Sequence, residues 1–144
     1  MVKKSTKPHP LANETSWQEF WKSFWNGEKP KQNSDNIVTG HYNTNTKRAI
    51  TQRINYIIND SKSIKIGKTG DSYLRLDFND YRGTYKEMHL IYKSSSEEYI
   101  STAEEDYIKK FSKSHASKID NKTDKRVGKM YSYDGYYYMY VVSR

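Results

Sequence analysis

The sequence predicts a small α+β domain: an antiparallel sheet flanked by helices, preceded by an N-terminal aromatic helix and closed by a C-terminal β-hairpin. Two segments, residues 16–26 and 95–113, repeat apolar residues at helical spacing. Between and after them lie short runs rich in Ile, Tyr and Val, bounded by Asn, Asp, Ser and Gly. The 144 residues hold one domain with a real core, whereas a second core of similar size would leave both too small.

Residues 1–12 carry Lys3, Lys4, Lys7, Pro8 and Pro10 with little to bury, the composition of a flexible basic arm. Ser16 to Asn26 places Trp17, Phe20, Trp21, Phe24 and Trp25 on one face of a helix. Ser16 and Glu19 form a capping-box pattern, and Gly27 stands where a helix stops. Such a stripe is expected to pack on the domain's own core, with an oligomer contact as the next reading. A membrane-surface face fits less well, because the polar side lacks dense Lys and Arg. Residues 28–46 offer only Ile37, Val38 and Tyr42 for burial and read as a surface linker. The expected organisation is therefore arm, helix and linker over residues 1–48, then a compact domain over residues 49–144.

Within the domain, Ile50 to Ile58 reads as a strand, Asn59-Asp60-Ser61 as a turn, and Ser63 to Ile66 as a second strand. Residues 71–80 allow two readings: alternating Leu74, Leu76 and Phe78 suit a strand, while Asp71 or Ser72 could cap a short helix. Tyr85 to Lys93 returns to a strand pattern. Ser95 and Glu98 make a second capping-box pattern, opening a helix to about Lys113 that gathers Ile100, Ala103, Tyr107, Ile108 and Phe111 on one face. Met130 to Tyr133, Asp134-Gly135 and Tyr136 to Val142 spell a hairpin. No internal repeat is present.

The net charge is +8, and its placement is uneven. Residues 1–49 hold 8 basic and 4 acidic side chains, residues 50–111 hold 10 and 10, and residues 112–144 hold 7 and 3. A basic excess confined to the flanks suits a polyanion, most often nucleic acid, although solubility alone would also account for it. Lys118, Lys122, Lys125, Arg126 and Lys129 lie beside six tyrosines of the C-terminal segment, so bases could stack there while phosphates are contacted. Equally, those tyrosines could form core on one side and ordinary surface on the other. The absence of cysteine excludes disulfides and thiolate metal sites, and His9, His41, His89 and His115 lack zinc-ligand spacing. Gly67-Lys68-Thr69 lacks the upstream glycine of a P-loop. Neither a signal peptide nor a long apolar run is apparent, and the expectation is a cytoplasmic protein.

Two features carry chemistry. In Ile64 to Arg75 an apolar strand ends at Gly67, a basic turn of Lys68, Thr69 and Gly70 follows, and Arg75 comes eight residues after Gly67, an arrangement that can hold a phosphate. Glu104 falls in the middle of the apolar face of its helix, where an ionised carboxylate needs an internal Arg or Lys, or a bound cation. Combined with Lys65 and Arg75, a cation-binding carboxylate is what phosphoryl chemistry requires.

Tyr56-Ile57-Ile58, Ile64-Lys65-Ile66-Gly67-Lys68-Thr69, Arg75, and Glu104 followed by Tyr107-Ile108 together resemble the motif series of the GIY-YIG nuclease superfamily over roughly residues 50–142. The resemblance implies a metal-dependent endonuclease acting on nucleic acid, DNA first. Tyr56 would match the tyrosine of the first motif, and Lys65 the aromatic position of the second, as in a branch that reads Lys-Ile-Gly. Gly67 would be the second motif's glycine, with Lys68 and Thr69 beside the phosphate backbone. Arg75 would bind the scissile phosphate and Glu104 would hold Mg2+ or Mn2+. Asn79 stands where many members have a histidine. A phenol's ordinary pKa of about 10 is too high for a general base, so Tyr56 would need Lys65 nearby to activate water.

Overall fold

A computed structural model of the chain describes residues 9, 11, 16–122 and 129–144. Apart from His9 and Leu11, the expected basic arm lies outside the described residues. Helix α1 (Ser16–Asn26) starts and stops as its sequence indicates, with Gly27 at φ +81°. The stretch read as a linker contributes two short strands, β1 (Lys31–Asn33) and β2 (Val38–Thr39). Both lie parallel to β4 (Glu87–Ser94) along one of its edges.

The segment expected as the first strand is instead helical: α2 spans Thr44–Asn59. Its cap lies upstream of the isoleucine run, where the Asn43 side chain accepts from Asn45 and Thr46 N–H groups and Thr46 Oγ1 accepts from Asn43 N–H. Ile50, Ile54, Ile57 and Ile58 are buried, a 3.6-residue stripe, whereas a strand would have had to alternate. The β-branched side chains favoured a strand by local propensity, and packing of a single apolar stripe overrode it.

Strand β3 (Ile64–Thr69) leads into α3 (Ser72–Leu76), whose cap is Asp71, accepting from Leu74 N–H. The helical reading of residues 71–80 is thus the one adopted. After β4 comes α4 (Glu97–Ser114), capped by Ser96 one residue beyond the expected Ser95, and a 3-10 turn at Ala116–Lys118. The last strand is β5 (Tyr137–Ser143).

The C-terminal hairpin does not form. Gly135 makes the expected turn at φ +89°, with Tyr136 N–H donating to Asp134 Oδ1, but residues 130–133 form no strand. They cross instead at the end of β3, where Tyr133 N–H donates to the Gly70 carbonyl at 2.9 Å. Only glycine fits at position 70: a Cβ there would stand 1.9 Å from the Tyr131 carbonyl oxygen.

The sheet runs β1-β4-β5-β3, with β2 also on β4. It is mixed: β5 is antiparallel to both β3 and β4, and only the short edge strands are parallel. Every residue of β5 is buried, so the expected tyrosine platform is core at Tyr137, Tyr138 and Tyr140. One sheet face packs on α2 and α4 through Ile66, Met139, Val141, Ile54 and Phe111. The other packs on α3 and the following loop through Leu76, Tyr81, Tyr85, Tyr138 and Tyr140.

Gly67 sits opposite Tyr140 in the β3–β5 register. A Cβ on it would come within 2.3 Å of the Tyr140 ring and hydroxyl, and that ring is 1% exposed. Gly67→Ala should cost about 1–3 kcal/mol through overpacking, seen as a lower urea midpoint at unchanged slope; an unchanged midpoint would refute the close Gly67–Tyr140 contact.

Candidate functional site

Strand alternation divides β3: Ile64 and Ile66 enter the core under α2 and α4, while Lys65 and Gly67 face the side of α3. Lys65 Nζ lies 5.5 Å from the Tyr81 ring centroid, and Gly67 leaves the space that the Tyr140 ring fills. Tyr140 and Tyr81 hydroxyls hydrogen-bond to each other. Lys68 leaves the other face towards α4, donating from Nζ to Ser101 Oγ at 3.1 Å and standing 3.9 Å from Glu104 Oε1.

Gly70 and the Asp71 cap turn the chain directly into α3, so Arg75 arrives at the same rim within one turn. Its guanidinium packs over the Phe78 ring, 4.3 Å from the centroid. Glu104 projects from α4 between the buried Ala103 and Tyr107, with its side chain 21% exposed. Burial raises its pKa above the ordinary carboxylate value, Lys68 and Arg75 pull it down, Glu105 pushes it up and Lys65 pulls it down. Burial outweighs the cations in this balance. Burial likewise holds the Tyr140 phenol well above 10, with Tyr81 adding to the rise and Arg75 opposing it.

The structure therefore pairs Lys68 with Glu104 on the α4 side of β3 and sets Lys65 and Gly67 on the α3 side, with Arg75 and Lys65 near enough to act on the Glu104 charge. Thr69 closes the strand: its Oγ1 donates to the Asp71 carbonyl and accepts from Asp71 N–H. Tyr56 does not belong to this group as a strand residue. It lies on the outer side of α2, 77% exposed, because the helix directs its isoleucines inward. The aromatic ring beneath the Lys65 cation is Tyr81. His89 also stays away from the rim, since β5 separates β4 from β3; it is packed against Ser143, with its pKa lowered by burial.

Two site residues, Tyr81 and Tyr140, were not identified from the sequence. Tyr140 had one signal, an uninterrupted bulky run in β5 that needs a partner strand with room for a ring, as at Gly67. Tyr81 had none, because it comes from an irregular turn-rich segment. Of the basic residues expected on nucleic acid, Lys118 donates to the Ile58 carbonyl at the end of α2. Lys122 and Lys129 are exposed, and Lys125 and Arg126 lie outside the described residues.

Among the described residues no three His, Asp or Glu side chains gather. A divalent ion would rest on the Glu104 carboxylate, and Mg2+ commonly binds through one or two carboxylates while keeping several waters. Glu104 supplies one such carboxylate, with the Lys68 ammonium 3.9 Å away opposing a second cation. No helix is long and apolar enough to cross a membrane among the described residues. No family profile, curated protein or solved structure matches this chain.

Because the folded state raises the Glu104 pKa, its contribution to stability is present below the ordinary carboxylate range and is lost as pH rises through the raised value. Glu104→Gln should therefore unfold at a higher temperature than wild type at neutral pH, and the gap should close on acidification. A variant less stable at neutral pH would show that Glu104 stabilises the fold as a partner of Lys68.

Proposed function

We propose that this protein is a metal-dependent endonuclease that hydrolyses DNA phosphodiester bonds at the rim formed by β3, α3 and α4. The observation that carries this reading is the convergence of three cations from two elements, Lys65, Lys68 and Arg75, on one half-buried carboxylate, Glu104, from a third. The GIY-YIG resemblance supports it in a rearranged form. That family needs an antiparallel strand with a tyrosine beside the Lys65-Ile66-Gly67 strand, and β5 with Tyr140 opposite Gly67 fills that place from the far end of the chain. Tyr140 thus stands where the resemblance put Tyr56 beside the glycine, without the water-activating role that the resemblance gave Tyr56.

Arg75 binds the scissile phosphate, ideally through two parallel N–H donors, and Lys65 and Lys68 neutralise charge on either side of β3. Tyr140 keeps its proton at neutral pH, so with Tyr81 it forms a neutral, hydrogen-bonded floor that positions Lys65 and is no phenolate base. Glu104 would hold Mg2+ or Mn2+, which supplies Lewis acidity for an attacking water and the leaving oxygen. The basic flanks, with Lys122 and Lys129 exposed, would attract the DNA backbone.

A second reading has its own observation. Lys68 and Glu104 partly satisfy each other at 3.9 Å, as they would in a site that binds an anion without cutting it. Incubation with supercoiled DNA separates the two. Nicking should require Mg2+ or Mn2+ and vanish in chelator or in Glu104→Ala. Arg75→Ala should cut about 100-fold to 1,000-fold more slowly while filter binding persists, and Tyr56→Phe should cut as wild type does. Salt-sensitive binding without any metal-stimulated nicking would select the second reading.

A further inference from the structure

Helix α1 is docked by the side opposite to the one its sequence suggests. No residue of α1 is buried, and Trp17, Phe20, Trp21, Phe24 and Trp25 are 66, 54, 42, 65 and 73% exposed. The expectation that this stripe packs on the domain's own core is not met. Its polar side holds the helix instead: Lys22 pairs with Asp77 at 2.8 Å, and Glu19 pairs with Arg82 at 3.3 Å. Arg82 is 1% exposed at its side chain, also pairs with Asp77 at 2.6 Å, and donates to the Gly27 carbonyl. Backbone contact locks the end of the helix, since a Cβ on Gly27 would lie 2.7 Å from Gly83 Cα. Rolling the aromatics inward would take Glu19 from the buried Arg82 guanidinium and Lys22 from Asp77, which is costly.

We propose that this aromatic face is a two-fold interface between two copies of the chain. Its area suits that occupant. At about 200 Å2 per aromatic side chain, the exposed fractions leave roughly 600 Å2 on each copy, so complete burial of these rings would reach roughly 1,200 Å2, the lower bound of stable specific interfaces. Its charge suits it as well. The chain carries +8 and copies repel elsewhere, but the only charged side chains of α1, Glu19 and Lys22, are engaged with the body. A membrane-surface helix would need cations flanking its apolar face.

The shape is self-complementary. Trp17, Trp21 and Trp25 form one i+4 ridge and Phe20 and Phe24 the next, with neighbouring rings in contact. Like ridges interdigitate in the commonest helix-pair geometry, and a two-fold axis presents the same patch twice.

All three tryptophans of the chain lie on this face, so tryptophan emission excited beyond the absorption of the 14 tyrosines reports on it alone. The full chain should sediment at twice its formula mass, and dilution should shift tryptophan emission to the red as the dimer dissociates. Trp21→Glu and Phe24→Glu should each weaken association by at least about 100-fold with unchanged far-UV circular dichroism. A wild-type chain that stays monomeric at every concentration, or a dimer that survives both substitutions, would overturn the proposal. So would a monomer whose emission shifts to the blue only on anionic phosphatidylglycerol vesicles.

Discussion

Strand β5 is hydrogen-bonded on both edges and buried on both faces, and the remaining elements are arranged around it. Six of its seven residues pair with β3, from Thr69↔Tyr138 to Ile64↔Ser143, and all seven pair with β4. Such a strand cannot lie at an edge, because its N–H and C=O groups and its bulky side chains both require cover. Placing β5 in the middle pushes β3 to the rim. The outer edge of β3 is then protected from pairing, as the Asn121 amide accepts from Ile66 N–H at 2.9 Å and donates to the Ile66 carbonyl at 2.8 Å. Ile119 bridges Ile64 beside it. The Lys65-to-Lys68 segment thus reaches a sheet corner where both α3 and α4 can meet it.

Two charge clusters near α3 show how the same residue types serve different ends. Around Arg82 the guanidinium has carboxylate partners on both sides, and although burial works against Asp77, Lys22 and Arg82 hold its carboxyl below the ordinary value. That cluster is a structural anchor for α1. Around Glu104 burial prevails over Lys68, Arg75 and Lys65, so the carboxylate is held as a charge the fold does not fully satisfy.

Much of the helical content was legible locally. The α1 stripe, its Gly27 stop, the Asp71 option for α3 and the apolar face of α4 all rest on interactions within a few residues, namely caps and 3.6-residue spacing. The candidate residues Lys65, Gly67, Arg75 and Glu104 stand out in the sequence for a related reason. Each is an uncommon residue in its local context: a glycine inside β3, which runs on through Lys68 and Thr69 and does not end at Gly67 as the sequence suggests, a cation beside it, and a carboxylate on an apolar face. The failures have physical causes too. Ile50 to Ile58 was misread because β-branched propensity pointed one way and the Asn43 cap lay upstream of the isoleucine run. The Asp134-Gly135 turn is real, but β5 beyond it pairs with strands more than 40 residues back along the chain.

What the sequence by itself determined is therefore the set of chemical groups, the extents of α1 and, to within a residue or two, of α4, and the α+β class, since these depend on near neighbours along the chain. Which side of α1 faces the body, and which tyrosine stands under Lys65, were decided only by tertiary structure. The buried Arg82 draws Glu19 inward against the amphipathic pattern, and the central position of β5 carries Tyr140 to Gly67 while α2 turns Tyr56 to solvent. Both outcomes depend on contacts between residues more than 60 positions apart, where satisfying a buried charge and both edges of a strand outweighs any local preference.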